Sequence, residues 1–153
     1  MARTCCLAGI DQAMVPMFSV ALEAAGESAL VTIARLDVPA LAKLAPEVLV
    51  CDVDEIEVDA LELLRQIRFV LPYTLIAVYT SVMDRTWGLE CHLAGSNCLL
   101  SKESDEPDLA HGLRIALRSG CYTDPRFAAS SPLSQVRHLR PPKSAAAVRV
   151  KLR

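Results

Sequence analysis

The stretch EVLVCDVD, residues 47–54, decides the fold of this chain. Four consecutive apolar residues, 48–51, precede two acids, Asp52 and Asp54. A strand without polar alternation is typical of a parallel sheet that is covered by helices on both faces. The sequence therefore predicts a buried strand here, and this strand delivers acidic side chains at its carboxyl end.

Short apolar runs and segments with helical spacing alternate on both sides of this stretch. The further predicted strands cover residues 4–8, 29–33, 75–79 and 98–100. The predicted helices cover residues 13–25 with a regular start near Pro16, 37–44, 60–71, 84–94 and 109–117. Five strands that are each followed by a helix predict an α/β fold, with a five-stranded parallel sheet and helices on both faces.

The length and composition fit one globular domain. The chain has 153 residues, of which 52% are apolar and 22% are charged, and this balance argues against global disorder. A membrane-spanning helix needs about 20 apolar residues in succession, and no such run is present. The amino terminus also lacks the pattern of a secretory signal. We therefore expect a cytoplasmic protein without a membrane segment.

Six cysteines raise the question of disulfides, metal binding or redox chemistry. They are Cys5, Cys6, Cys51, Cys91, Cys98 and Cys121. No pair has C-x-x-C spacing, so a zinc ribbon or finger is not indicated. We expect buried, reduced thiols that pack as small apolar side chains. Redox sensing is the alternative, and it requires an exposed thiol with a low pKa.

Charge divides the chain into two parts. Residues 1–119 hold 9 Lys and Arg against 17 Asp and Glu, whereas residues 120–153 hold 7 Lys and Arg and a single acid. This asymmetry predicts a domain at residues 1–128 and a basic, flexible tail at residues 129–153. The tail has neither the length nor the apolar pattern of a helix-turn-helix. DNA binding is therefore not expected.

Three polar side-chain types follow three of the predicted strands. Asp52 ends the third strand, Thr80 ends the fourth, and Lys102 follows the fifth. In an open parallel sheet, ligands bind beyond the carboxyl ends of the strands. An acid, a hydroxyl and an ammonium group are therefore expected at one edge of the sheet.

Together these segments resemble the receiver domain of bacterial response regulators, and in particular receivers that precede a LuxR-type helix-turn-helix. The resemblance covers roughly residues 3–128 and implies a flavodoxin-like (βα)5 fold. The segments that carry it are residues 46–54, 61–68, 80–81, 94–102 and 118–128.

The resemblance also implies roles for individual residues. Asp52 is the implied phosphoacceptor for a histidine kinase, Thr80 the switch hydroxyl, and Lys102 the phosphate-binding lysine. The backbone carbonyl of Asp54 is an implied ligand of Mg²⁺. A phosphoryl group brings about −1.5 to −2 charge, which is enough to draw a loop hydroxyl and a lysine inward.

The sequence departs from the family where two adjacent acids should end the first strand. Gly9 and Ile10 stand there, and Asp11 comes one place later. Mg²⁺ needs several oxygen ligands, so these replacements argue against metal binding. Asp11 is either a rescuing ligand beside Asp52 and Asp54, or the N-cap of the next helix.

Two functional hypotheses remain open at this point. The first is a degenerate receiver, or pseudo-receiver, which is no enzyme and binds a protein through its fourth helix and fifth strand. The second is a working phosphoacceptor, in which Asp11, Asp52 and Asp54 hold Mg²⁺ and Asp52 is phosphorylated. The expected partner is a histidine kinase or another signalling protein, with a homodimer as an alternative. A flavin or nucleotide binder is not supported, because no glycine-rich phosphate loop is present.

Overall fold

The computed structural model describes residues 3–26 and 29–128. Within these ranges, strands and helices alternate along the chain. The strands are β1 (Thr4–Ala8), β2 (Ala29–Ile33), β3 (Val48–Asp52), β4 (Leu75–Thr80), β5 (Cys98–Ser101) and β6 (Tyr122–Thr123). The helices are α1 (Val15–Ala24), α2 (Val38–Leu44), α3 (Ala60–Val70), α4 (Arg85–Ala94) and α5 (Glu106–Ser119). The tail predicted at residues 129–153 lies outside the described residues.

The helix boundaries follow from local chemistry. Pro16 lies in the first turn of α1, where a missing N–H costs no hydrogen bond. The Asp84 carboxylate caps α4 by accepting the N–H of Thr86 at 3.0 Å. Gly95 then ends α4 with φ at 128°, a backbone angle that favours glycine.

All strands are parallel, and their order in the sheet is β2-β1-β3-β4-β5-β6. The apolar residues of β3 are fully buried, because successive side chains point to opposite faces and both faces are covered. One face packs against α2, α3 and α4, and the other packs against α1 and α5. The flavodoxin-like fold predicted from the sequence is confirmed.

A sixth strand extends the predicted five-stranded sheet. β6 pairs with β5 and is only two residues long, too short for a periodic signal. Tyr122 of β6 packs so closely on Gly112 that a Cβ there would lie 2.5 Å from the Tyr122 ring. Phe127, which is buried, packs against Gly88 of α4 in the same way. The segment after α5 is therefore an integral part of the domain.

All six cysteines lie in described residues and are free thiols. Five are buried, and Cys121 is exposed. Burial raises the pKa of the Cys51 thiol to about 12, with smaller contributions from Asp52 and Cys6. Such a thiol stays protonated at neutral pH, as expected for a packing residue. None of the helices described is long and apolar enough to span a membrane.

Candidate functional site

The carboxyl ends of three neighbouring strands form the candidate site. The strand order places β4 between β3 and β5, and Asp52 lies opposite Tyr79 while Thr80 lies opposite Ser101. The Lys102 N–H donates to the Thr80 carbonyl at 2.9 Å. The acid, the hydroxyl and the lysine that the sequence placed at strand ends therefore meet at one edge of the sheet.

The Lys102 ammonium lies between two carboxylates. Its Nζ is 2.7 Å from Oδ2 of Asp52 and 3.0 Å from Oδ2 of Asp54. Burial alone would lower the pKa of Lys102, but hydrogen bonds to the two acids and their charges outweigh burial and raise it. The lysine is therefore a fixed positive charge across the physiological pH range, and the three groups together carry a net charge of −1.

The Asp54 side chain is the most heavily hydrogen-bonded group of the site. Its Oδ1 accepts the Thr80 hydroxyl at 2.5 Å. Its Oδ2 accepts both the N–H of Ser81 at 2.8 Å and the Ser81 hydroxyl at 2.9 Å, in addition to Lys102. A carboxylate has about four acceptor sites, so the side chain of Asp54 is saturated.

Asp52 is less crowded than Asp54. Its Oδ1 accepts the backbone N–H of Asp54 at 2.9 Å, and its Oδ2 faces Lys102. A cavity of about 350 Å³ opens beside it and is lined by Gly9, Arg35, Glu57 and other residues. Asp52 therefore borders an open cavity, in which the positive charge of Arg35 is accompanied by the negative charges of Glu55 and Glu57.

The end of β1 does not provide oxygen ligands for a metal at this edge. Gly9 has a left-handed backbone with φ at 69°, and Ile10 is buried in the apolar core. The Asp11 carboxylate accepts the N–H of Ala13 at 2.9 Å and caps the short 3-10 helix Gln12–Met14. Among the described residues, no group of three His, Cys, Asp or Glu side chains is placed to hold a metal ion.

The donor set at this edge therefore lacks the two carboxylates at the end of β1 that the resemblance to receivers implies for a magnesium site. The two carboxylates at the edge are neutralised in part by Lys102. Asp11, proposed from the sequence as a third ligand, is not brought into a three-carboxylate group in the described ranges.

Tyr79, which lies opposite Asp52 in the sheet, is a core residue. It is buried and packs edge-on against Phe18 with ring centroids 4.8 Å apart. The Lys102 ammonium lies 5.7 Å from the centre of its ring, a cation–π distance. The Tyr79 ring therefore contributes a cation–π contact to the Lys102 ammonium.

Solved structures, but no known sequence family, are similar to this chain. The sequence matches no model of a known family and no curated protein sequence. A LuxR-family two-component response regulator from Aurantimonas has a TM-score of 0.65 and 19% identity, and the match covers 98% of this chain and 99% of that one. A response regulator from Thermotoga maritima has a TM-score of 0.67 and 21% identity, covering 78% and 100% of the two chains.

Another similar structure is a LuxR-family DNA-binding response regulator from Silicibacter pomeroyi. Its TM-score is 0.65 at 17% identity, and the match covers 81% of this chain and 98% of that one. The chain thus has the fold of response-regulator receiver domains, as the resemblance in its motifs implied.

Two features of this network were not predicted from the sequence. The resemblance to receivers implied a role for the backbone carbonyl of Asp54, whereas the Asp54 carboxylate accepts the hydrogen bonds of Thr80 and Ser81. Ser81, which had no predicted role, donates twice to that carboxylate. The D-x-D spacing of Asp52 and Asp54 was the available signal, because side chains two residues apart in a strand point to the same face of the sheet.

Proposed function

We propose that this chain is a pseudo-receiver, a non-enzymatic signalling module that binds a protein partner without efficient phosphorylation. The observation that carries the proposal is the end of β1, where Gly9 adopts a left-handed backbone and Ile10 is buried. Phosphoryl transfer to a carboxylate needs positive charge to neutralise the developing negative charge. Without acids at this position, the site is poorly equipped to hold the divalent cation that would supply it.

The charge of the site supports the same conclusion. Asp52 and Asp54 already share one ammonium group. Phosphorylation would replace the single negative charge of Asp52 by about −1.5 to −2, close to the Asp54 carboxylate. Like charges at this range repel, and Lys102 alone does not balance them.

Incubation of the purified chain with acetyl phosphate and MgCl₂ tests this function. In such a reaction an Asp52 oxygen attacks phosphorus, the bond from phosphorus to the acetyl oxygen breaks, and acetate leaves. We expect intact-mass spectrometry to show no covalent phosphoryl group on the native chain, as in an Asp52→Asn control. Stoichiometric phosphorylation that is lost in Asp52→Asn would contradict the proposal.

A magnesium titration gives an independent measure. Trp87 is buried in α4, three residues beyond the Asp84 cap, and its fluorescence can be followed together with amide NMR signals near Asp52. We expect no saturable change below about 1 mM Mg²⁺, since a site of low carboxylate charge binds this ion weakly. Saturation below that concentration would favour the alternative function.

The alternative is a working phosphoacceptor, and one observation favours it. Asp52, Thr80 and Lys102 occupy the same edge of the sheet, with the Asp52 carboxylate beside an open cavity. In this alternative a histidine kinase phosphorylates Asp52, and Mg²⁺ is held by Asp52, the Asp54 carbonyl and a rearranged Asp11. The phosphorylation experiment separates the two functions directly.

The sequence predicted that a partner binds through the fourth helix and the fifth strand. All of β5 is buried, and the edge of β5 that faces away from β4 is hydrogen-bonded to β6. On α4, however, Leu89 is 59% exposed and Leu93 is 89% exposed, one turn apart on the helix. We propose that the outer side of α4, rather than β5, contributes the apolar contacts to a signalling partner or a second copy of this chain. A Leu89→Ser, Leu93→Ser double variant tests this surface.

A further inference from the structure

The donors that would bind a phosphoryl group on Asp52 are already engaged. The Thr80 hydroxyl donates to Asp54 while its oxygen accepts the Val82 N–H at 3.0 Å, so both functions of the hydroxyl are in use. The N–H and hydroxyl of Ser81 also donate to Asp54. Only the ammonium of Lys102, with three hydrogens for two carboxylates, has a donor to spare.

These contacts produce the arrangement that phosphorylation would otherwise create. A phosphoryl group is expected to draw a loop hydroxyl and a lysine toward one anionic centre. Here the hydroxyl of Thr80, the last residue of β4, and the ammonium of Lys102 already converge on the carboxylate of Asp54. Its side chain is only 10% exposed, so water competes weakly for these hydrogen bonds.

We infer that the Asp54 carboxylate is a built-in substitute for the phosphoryl group. It permanently holds residues 80–82 and Lys102 in the positions into which a phosphoryl group would otherwise draw them. This inference rests on the proposed function and explains how a module of this fold can bind its partner without phosphorylation. Phosphorylation of Asp52 would have to displace Asp54 from its donors. The loop state is therefore set by the sequence rather than by a kinase.

Hydrogen exchange of the backbone amides tests the inference on the full chain. In Asp54→Ala we expect the amides of Ser81 and Val82 to exchange at least about tenfold faster, because one charge-assisted hydrogen bond is worth more than that factor. Glu57→Ala is the matched control, since Glu57 is an exposed acid of the same loop and its loss removes the same charge. Equal exchange in the two variants would overturn the inference.

Rescue by a free oxyanion adds a second arm. Inorganic phosphate or formate should slow the exchange of these two amides again in Asp54→Ala, and should leave the native chain unchanged because its donors are occupied. If these amides exchange faster in Asp54→Ala and neither anion slows their exchange, the inference is overturned. If Asp54→Ala does not fold, Asp54→Asn keeps the size of the side chain. The Ser81 amide proton should then move upfield in its NMR spectrum, and an unchanged shift would count against the inference.

This test and the phosphorylation test can fail separately. Phosphorylation of the native chain on Asp52 would refute the pseudo-receiver function, whatever the loop does in Asp54→Ala. A loop that does not respond to the loss of Asp54 would refute only the built-in substitute.

Discussion

Replacing Lys102 with alanine should destabilise the fold much more than replacing Asp52 with asparagine. The oxygens of Asp52 and Asp54 both contact Nζ of Lys102, at 2.7 and 3.0 Å, so they lie no more than about 6 Å apart. At an effective dielectric constant of about 20, two charges at this distance repel by about 3 kcal/mol. Partial exposure of both carboxylates lowers this figure, and we expect Lys102→Ala to cost about 2–3 kcal/mol.

Asp52→Asn removes one of the two like charges. The asparagine carbonyl oxygen can still accept the N–H of Asp54, the contact made at 2.9 Å in the native chain. Loss of the bond to Lys102 and relief of the repulsion oppose each other, so we expect a change within about 1 kcal/mol.

Urea denaturation of the single and double variants measures both effects. In the Asp52→Asn background, Lys102→Ala should cost at least about 1 kcal/mol less than in the native background, because only one carboxylate is then left unneutralised. Lys43→Ala on α2, an exposed lysine, is the control and should stay within about 0.5 kcal/mol of the native chain. An equal cost of Lys102→Ala in both backgrounds would show that the ammonium does not hold two acids together.

Three further predictions concern the frame around the site. Gly9→Ala should cost about 1–2 kcal/mol in urea denaturation, since φ is 69° while the nearest atom to an added Cβ is 3.7 Å away; an unchanged midpoint would show that the backbone is not held there. Phe127→Ala should lower the free energy of unfolding by about 3–5 kcal/mol. The control Phe69→Ala, at a side chain that is 87% exposed, should lower it by less than about 0.5 kcal/mol. Equal losses would mean that the residues after α5 do not pack against the domain. Burial raises the pKa of the Cys51 thiol from 9.0 to about 12, so the contribution of this thiol to stability is full below about pH 9 and falls by about 1.4 kcal/mol per pH unit above it. Burial also raises the pKa of the Cys6, Cys91 and Cys98 thiols, so Cys51→Ala should remove only its own share of the slope, about 1.4 kcal/mol per pH unit; an unaltered slope would contradict the burial.

The regular part of the fold could be predicted from the sequence because its signals are local. The apolar run in residues 48–51 and the helix ends at Gly95 and Gly120 are visible in the printed residues, and the structure confirms each of them. β6 was not predicted, because two residues cannot show a periodicity. Its stability comes from tertiary contacts, such as that of Tyr122 with Gly112.

The candidate site was predicted in part. Strand ends identified Asp52, Thr80 and Lys102, since the topology of a parallel sheet brings those ends together. The direction of a single side chain after a strand end depends on the donors that happen to face it. The partners of Asp54 come from the last residue of β4, from the residue after β4 and from the residue after β5, so only a three-dimensional structure reveals that its carboxylate is the centre of the network.

The two edges of the sheet have different consequences for self-association. At one edge, β6 spans two residues and is followed closely by Pro125, which has no N–H to offer an added strand. At the other edge, β1 is the one neighbour of β2 among the described strands. β2 reads ALVTI, with no charge and no proline. A strand edge without charged residues or proline is a template for strand addition and aggregation. The solubility of concentrated preparations should therefore depend on the β2 edge. Thr32 is exposed there, so a Thr32→Lys substitution would place a charge on this edge.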